Sequence, residues 1–268
     1  MGWWTRALVT GASSGIGKAF ARGLAAQGSD LVIVARRDTL LEEVASDLAR
    51  RERVKVEPIR ADLTDAGDLS RVEARLGADD KPVDLLVNNA GGGPPGPGSF
   101  AGHDRDAVER QAFLNALSVL RLTHAALSAM TDRGHGHVIQ VSAGVAFYPI
   151  PWGATYAASK AFVNSFSQAV NYELKDTTIG VTTVCPGFTR TAAPARNGFD
   201  ETNVPSFLWA DPEEVVRAAL AGAARGRAMV SPGLVNKMAA TFGAHFPGVM
   251  VRLSRRFRPL SEGGSAGH

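Results

Sequence analysis

The sequence predicts one α/β domain in which a doubly wound parallel sheet of about seven strands is covered by helices on both faces. Three observations carry that expectation. Apolar, β-rich runs alternate with longer segments of helical periodicity along most of the 268 residues. Most of those runs are continuously apolar rather than alternating, as strands buried on both faces are. The first run ends in T-G-A-S-S-G-I-G at residues 10–17, where a strand turns through glycines into a helix.

In chain order, strands are expected at 7–10, 30–35, 54–60, 83–88, 136–142, 179–185 and 228–231. Helices are expected at 15–28, 39–51, 65–76, 106–133, 155–175 and 211–224. The first strand carries Ala7, Leu8 and Val9, and its turn offers Gly11, Ser13, Ser14, Gly15, Ile16 and Gly17 as an anion cradle. Glycines let the backbone approach a phosphate, and the first-turn N–H groups and dipole of the following helix favour the negative charge. Glycines also close ordinary βα turns, so the downstream strands decide the matter.

The second strand ends at Ala35 and is followed by Arg36, Arg37 and Asp38. A carboxylate at that strand's end would accept from ribose hydroxyls, whereas guanidinium groups pair with a 2′-phosphate. The arginines therefore favour NADP(H) over NAD(H), against the alternative that they are solvated helix-start charges. Asp62 and Leu63 follow the third strand, placed to accept from an adenine amino group and to pack near its ring. Asn88, Asn89, Ala90 and Gly91 follow the fourth. Either patch alone reads as turn chemistry; their succession after neighbouring strands is what points to a nucleotide.

Ser142 ends the fifth strand, Tyr156 lies fourteen residues on, and Lys160 follows one helical turn later. On a helix Tyr156 and Lys160 share a face. An ammonium beside a phenol favours the phenolate, so Lys160 is expected to lower the tyrosine from its usual value of about 10. Tyr156 is then placed to exchange a proton with a carbinol oxygen to which Ser142 hydrogen-bonds; taken alone, Tyr156 and Lys160 read instead as an ordinary exposed helix pair. Asn115 stands inside an apolar helical stretch, where its amide competes for backbone bonds; relief at a kink is the plain explanation.

With these residues in view, the chain resembles the short-chain dehydrogenase/reductase family over nearly everything from Thr5 to about Ser231. The motifs T-G-A-S-S-G-I-G, D-L at Asp62, N-N-A-G at Asn88, Ser142, Y-A-A-S-K at Tyr156 and P-G-F-T-R-T at Pro186 stand in family order. The resemblance implies a Rossmann-type fold with Tyr156 as general acid/base and Ser142 orienting the substrate carbonyl. It further implies that Lys160 binds the nicotinamide ribose, that Asn115 holds a water continuing a proton relay, and that Pro186, Gly187 and Thr191 contact the nicotinamide end. A homodimer or homotetramer through the helices bearing Asn115 and Tyr156 is the family's usual assembly.

The substrate walls implied by the family lie between Ser142 and Tyr156, with Phe147 and Trp152, and after Gly187, with Phe188, Phe199, Phe207 and Trp209. Their aromatic character points to a bulky apolar ketone, aldehyde or acyl substrate, or else to plain core packing. The glycine- and proline-rich stretch 91–98 is read as a flexible surface excursion in preference to a rim of the site.

Composition bounds the rest. The chain is 45% hydrophobic and 21% charged, with net charge +3 from dispersed cations; the one dense basic run is Arg252, Arg255, Arg256 and Arg258. Nucleic acid, which asks for a concentrated basic stripe, is not an expected partner. The single Cys185 forms no internal disulfide, no secretory leader is evident and no apolar run reaches a membrane span, so a cytoplasmic location is expected. The histidines lack metal-ligand spacing, so no metal is expected, and His135-Gly136-His137 reads as an exposed turn before the fifth strand. The domain is expected over 1–232, a helical extension broken at Pro247-Gly248 over 233–260, and a flexible tail over 261–268. That extension carries Met238, Phe242, Phe246, Met250, Leu253 and Phe257 near helical spacing, and packing on its own domain or a neighbouring subunit is preferred to lying on an anionic membrane. The function expected is hydride transfer between NADP(H) and a carbonyl or secondary alcohol. The alternatives are a nucleotide-sensing protein of the same fold with little turnover, and acyl or sterol reduction at a membrane surface.

Overall fold

A computed structural model describes residues 4–96, 98–191 and 204–254. The expected positions Phe199, Arg255, Arg256, Phe257, Arg258 and the tail lie outside the described residues.

Seven strands form one sheet: β1 (Arg6–Thr10), β2 (Asp30–Ala35), β3 (Val56–Arg60), β4 (Leu85–Asn88), β5 (Gly136–Val141), β6 (Ile179–Val184) and β7 (Met229–Val230). Their order is β3-β2-β1-β4-β5-β6-β7 and every pairing is parallel. The helices are α1 (Gly15–Ala25), α2 (Asp38–Glu52), α3 (Ala66–Leu76), α4 (Arg105–Ala112), α5 (Ser118–Arg133), α6 (Ala154–Glu173), α7 (Pro212–Ala223), α8 (Leu234–His245) and α9 (Pro247–Ser254).

Burial on both faces explains the continuous apolar strands. In β1, Ala7 and Val9 join one core layer with Phe20 and Leu24 of α1, Leu41 of α2 and Val215 of α7. Leu8, pointing the other way, joins Leu69 and Val72 of α3 and Leu122 and Met130 of α5. Each such fully buried large side chain contributes roughly 1.5–3 kcal/mol. Leu8 pairs with Val32 of β2 and Leu86 of β4, and after β1 the winding goes outward one way through β2 and β3 and the other way from β4. Strand order therefore reverses between β1 and β4, and the crevice beyond their carboxyl ends is where such sheets take ligands.

Local signals set the element ends. Asp65 and Asp104 cap α3 and α4 by accepting from the N–H groups of Asp68 and Ala107, at 2.9 and 2.8 Å. Pro212 occupies the first turn of α7, and Gly134, with φ of 76°, closes α5.

Three expectations are corrected. The helix expected at 106–133 is interrupted by a π-helical turn, Phe113–Leu117, which divides α4 from α5. His137 is not in an exposed turn: it is the second residue of β5, 8% exposed, beside Trp4 and hydrogen-bonded through Nε2 to Thr182 Oγ1 at 2.9 Å. The sequence Arg105–Arg133 does reach a span's length and mean hydropathy, at 1.2, but α5 packs on α3, β4 and β5 as a core helix. The C-terminal segment forms two helices over the described residues 234–254, with the break at Phe246 and Pro247 opening the second helix rather than lying in the break.

Candidate active site

The turn after β1 needs its glycines. Gly11 and Gly15 have φ of 68° and 55°, and a Cβ at Gly17 would strike the Gly11 carbonyl oxygen and the Asn89 amide. Asn89 is the tie between this turn and β4: its Nδ2 donates to Thr10 O at 2.9 Å and Gly11 O at 3.4 Å. Thr10 answers, its Oγ1 accepting the N–H groups of Asn89 and Ala90 at 2.9 and 3.0 Å. Asn89 and Ala90 thus build the cradle, and Thr10, the motif's first residue, is a structural member not named among the candidate binding residues. Ser14 precedes α1 without capping it through its side chain, so the first-turn N–H groups have no side-chain oxygen upon them from that residue. The cradle of bare glycine backbone at an uncapped helix start fits a dinucleotide's phosphates.

At the end of β2, Arg37 Nη2 donates to Ser14 Oγ at 3.2 Å and lies 3.5 Å from Ser13 Oγ. Arg36 Nη1 stands 3.8 Å from Asp62 Oδ2, both groups well exposed. One guanidinium therefore borders the serines of the turn and the other stands by Asp62, and two cations at the end of β2 fit an anionic group at the ribose 2′ position. Asp62 is largely spent on its own turn, where Oδ1 accepts from the N–H and Oγ1 of Thr64 at 3.0 and 2.8 Å. Leu63 is 4% exposed and belongs to the core layer, so its packing is first structural.

The remaining candidates converge where β4, β5, the π turn and α6 meet. Asn115 is fully buried in the π turn and grips Gly92 from both ends, Nδ2 donating to Gly92 O at 2.8 Å and Oδ1 accepting Gly92 N–H at 2.9 Å. Its side chain thus latches the loop after β4. The extra residue of a π turn is what lets an asparagine leave the helix's own bonding at this point. A Cβ at Gly91 would lie 2.9 Å from Asn115 Oδ1 and 3.5 Å from Lys160 Nζ, so glycine keeps these two groups facing one gap. Lys160 Nζ donates to Val141 O at 2.9 Å, and Ser142 Oγ donates to Lys160 O at 3.1 Å, pinning α6 to the end of β5. The described residues 91–96 are accordingly tied down rather than loose: Gln111 Nε2 holds Gly93 O and His103 Nε2 meets Gly96 O at 3.2 Å.

Burial decides the electrostatics here. It pushes the Tyr156 phenol up to about 12 and the Lys160 ammonium down to about 8. The phenol is thus raised by desolvation where a lowering by Lys160 was expected, and the ammonium instead donates to Val141 O. Among the described residues none is hydrogen-bonded to the Tyr156 hydroxyl. Cys185 is buried, and burial raises its thiol to about 12, which makes it a poor nucleophile.

Beyond β6, Pro186 is buried and Gly187 exposed, while Thr191 reaches back to the first turn, its methyl 3.2 Å from where a Gly15 Cβ would stand. Phe188 packs on Trp209, ring centres 5.5 Å apart, and residues 188–190 bond with Ala210. Phe147 is half-buried in the short helical turn after Ser142, and Trp152 takes a left-handed φ of 61° four residues before Tyr156. Phe207 is exposed rather than walling anything among the described residues. One residue was missed altogether. Asn236 of α8 donates to Cys185 O at 2.7 Å, and its Oδ1 lies 2.9 Å from where Cβ atoms of Gly144 and Gly187 would be. The first turn of the extension thereby clasps the loops following Ser142 and Cys185; no local sequence signal announces such a contact.

Comparison with known proteins agrees with this geometry. A very-long-chain 3-oxoacyl-CoA reductase of Anas platyrhynchos is 33% identical over 217 residues, covering 80% of this chain and 67% of that protein. A Homo sapiens protein named inactive hydroxysteroid dehydrogenase-like protein 1 is 32% identical over 193 residues, 72% of this chain and 58% of its own length. The chain thus spans about two thirds or less of the length of these curated relatives. Among solved structures, a short-chain dehydrogenase from Sphingobium yanoikuyae in complex with NADPH superposes with a TM-score of 0.80 at 37% identity, covering 91% of this chain and 94% of that one. A bulky-bulky ketone specific alcohol dehydrogenase from Comamonas testosteroni does so at 0.77 and 32%, covering 98% and 96%. The family described as short chain dehydrogenase matches residues 5–201, the stretch that holds the glycine turn, Asn115, Ser142, Tyr156 and Lys160. The chain belongs to the short-chain dehydrogenase family.

Proposed function

We propose that this oxidoreductase moves a hydride between NADP(H) and the carbonyl carbon of a bulky apolar ketone, aldehyde or acyl substrate, with Tyr156 as the proton-transferring group. The observation that carries the reading is the gap kept open by Gly91, onto which Asn115 Oδ1 and Lys160 Nζ face from two different elements beside Ser142. The bound nicotinamide supplies or takes the hydride; the chain supplies position and the proton. Ser142 Oγ holds the carbonyl oxygen by turning its one hydroxyl proton, now on Lys160 O, towards the substrate. Tyr156, neutral at physiological pH with its phenol near 12, donates the proton that the reduced oxygen needs. Lys160, near 8, keeps its ammonium at neutral pH and can refill that proton. Arg36 and Arg37 support NADP(H), and the NADPH of the Sphingobium neighbour supports it by analogy.

The aromatic pair Phe188 and Trp209, with Phe147 and Trp152, supports a large apolar substrate, as does the ketone specificity named for the Comamonas neighbour. Leu117, Phe162 and Tyr172 stand exposed on the helical run bearing Asn115 and on α6, which supports a homo-oligomer formed through them. A sensor with little turnover is the second reading, favoured by the relative named inactive. NADPH consumption with bulky ketones, aldehydes and 3-ketoacyl thioesters, run beside Tyr156→Phe, separates the two. General acid catalysis predicts a loss of about a hundred- to ten-thousand-fold in kcat with NADPH binding retained. Equal rates for the two proteins would refute the role of Tyr156, and NADPH binding without turnover on any substrate would favour the sensor.

A further inference from the structure

The outer face of the C-terminal helix pair is unlike any other surface of the described chain. Ala240 and Gly243 of α8 are buried, Gly243 lying directly under the Tyr148 ring, and Asn236 reaches Cys185 O, so one side of the helix is spent on its own domain. The other side presents large apolar groups to solvent: Leu234, Val235, Met238, Phe242, Phe246 and Val249 are all between 43% and 73% exposed. Spacings of four residues at 234, 238, 242 and 246 make this one stripe, and the Phe242 and Phe246 rings pack at 4.9 Å across the break into α9. A stripe of this size on a soluble surface calls for a partner.

Charge identifies the partner. Between Glu214 and Glu262 the sequence holds no Asp or Glu, whereas Lys237, Arg252, Arg255, Arg256 and Arg258 fall within or beside the helix pair. Lys237 borders the stripe beside Met238, and Arg252 is exposed on α9 near Val249. A second copy docking by the same face would set cations against cations with no carboxylate of the segment to answer them. An amphipathic element with large apolar groups along one side, cations at its margin and no acidic residue instead fits the headgroup region of an anionic bilayer, where apolar burial and electrostatic attraction add.

We propose that α8 and α9 dock this face on an anionic lipid surface. The opposite side of α8 clasps the loops after Ser142 and Cys185, so docking sets the candidate active site within about one helix diameter, ~10 Å, of the lipid boundary. This inference stands on surface chemistry and does not depend on the reaction proposed above.

The test is sedimentation of the full chain with vesicles of phosphatidylcholine alone and of phosphatidylcholine with phosphatidylglycerol, at low and high salt, alongside Met238→Glu and Phe242→Glu. Both positions are exposed, and an unchanged circular-dichroism melt with retained NADPH binding controls for folding. The expected result is binding stronger by on the order of tenfold or more to the phosphatidylglycerol vesicles, weakened by salt and lost in both variants. No binding, or equal binding to both vesicles, overturns the proposal. So does a dimer in light scattering that Phe242→Glu dissociates while vesicles bind nothing, which would give the face to a second copy.

Discussion

Replacing Arg36 and Arg37 together by alanine tests the cofactor preference without needing a substrate. A charge-assisted hydrogen bond to phosphate contributes about 1.5–3 kcal/mol when desolvated. The Arg36 side chain is 69% exposed and Arg37 reaches only serine hydroxyls at 3.2 and 3.5 Å, so solvent screening reduces each contribution to about 1 kcal/mol. At 1.4 kcal/mol per tenfold, that is about fivefold per arginine and roughly 25-fold for the pair. The double variant should therefore bind NADPH that much more weakly in a fluorescence titration while its affinity for NADH stays within about twofold. The difference arises because the glycine turn, tied to β4 by Asn89 and Thr10, is untouched. If NADPH and NADH weaken together, the arginines support the turn and do not read a 2′-phosphate. If neither changes, they are solvated charges.

Other consequences are as specific. The fold should lose stability in acid through His137. Thr182 Oγ1 already donates to Arg227 O at 2.7 Å, so His137 Nε2 must be the donor in its bond to that oxygen, and the buried ring is neutral. Its value is lowered from 6.5 to about 4, so the stabilisation is complete above pH ~6.5 and is lost as pH falls towards 4, up to ~3 kcal/mol in all. Melting temperature against pH should show that slope, and a His137→Asn variant with the same slope would assign it elsewhere. Asn236→Ala removes one hydrogen bond worth about 1 kcal/mol and should lower kcat/KM for carbonyl substrates about fivefold, with NADPH affinity changed less than about twofold. A lower melting temperature with unchanged kcat/KM would make Asn236 a structural tie only.

Much of the molecule was legible because its signals are local. The continuous apolar runs, the glycines required by positive φ at residues 11 and 15, the aspartate caps and Pro212 each act within a few residues, and all seven strands and most helix bounds follow from them. Ser142 and Lys160 could be named from type and spacing, since β5 and α6 were already placed, whereas Asn115 was singled out by the family resemblance. What lay beyond reach was whatever depends on distant chain. The π turn arises where Asn115 prefers Gly92, twenty-three residues away, to its own helix. The tie between Thr10 and Asn89, and the clasp of Asn236 on Cys185, join elements that only the folded sheet makes neighbours.

The amino-acid sequence by itself determined the alternation of strands and helices and the glycine turn after β1, and it supplied the candidate residues at the crevice, because periodicity, glycine φ and side-chain chemistry are properties of short segments. Only the tertiary structure decided how those residues titrate and what they touch. Desolvation carried the Tyr156 phenol upward where sequence spacing had predicted a fall, while packing buried His137 in β5 where His135-Gly136-His137 had suggested an exposed turn, and left one face of α8 bare. Each of these is set by how much water the rest of the chain excludes, a quantity that no stretch of sequence holds on its own.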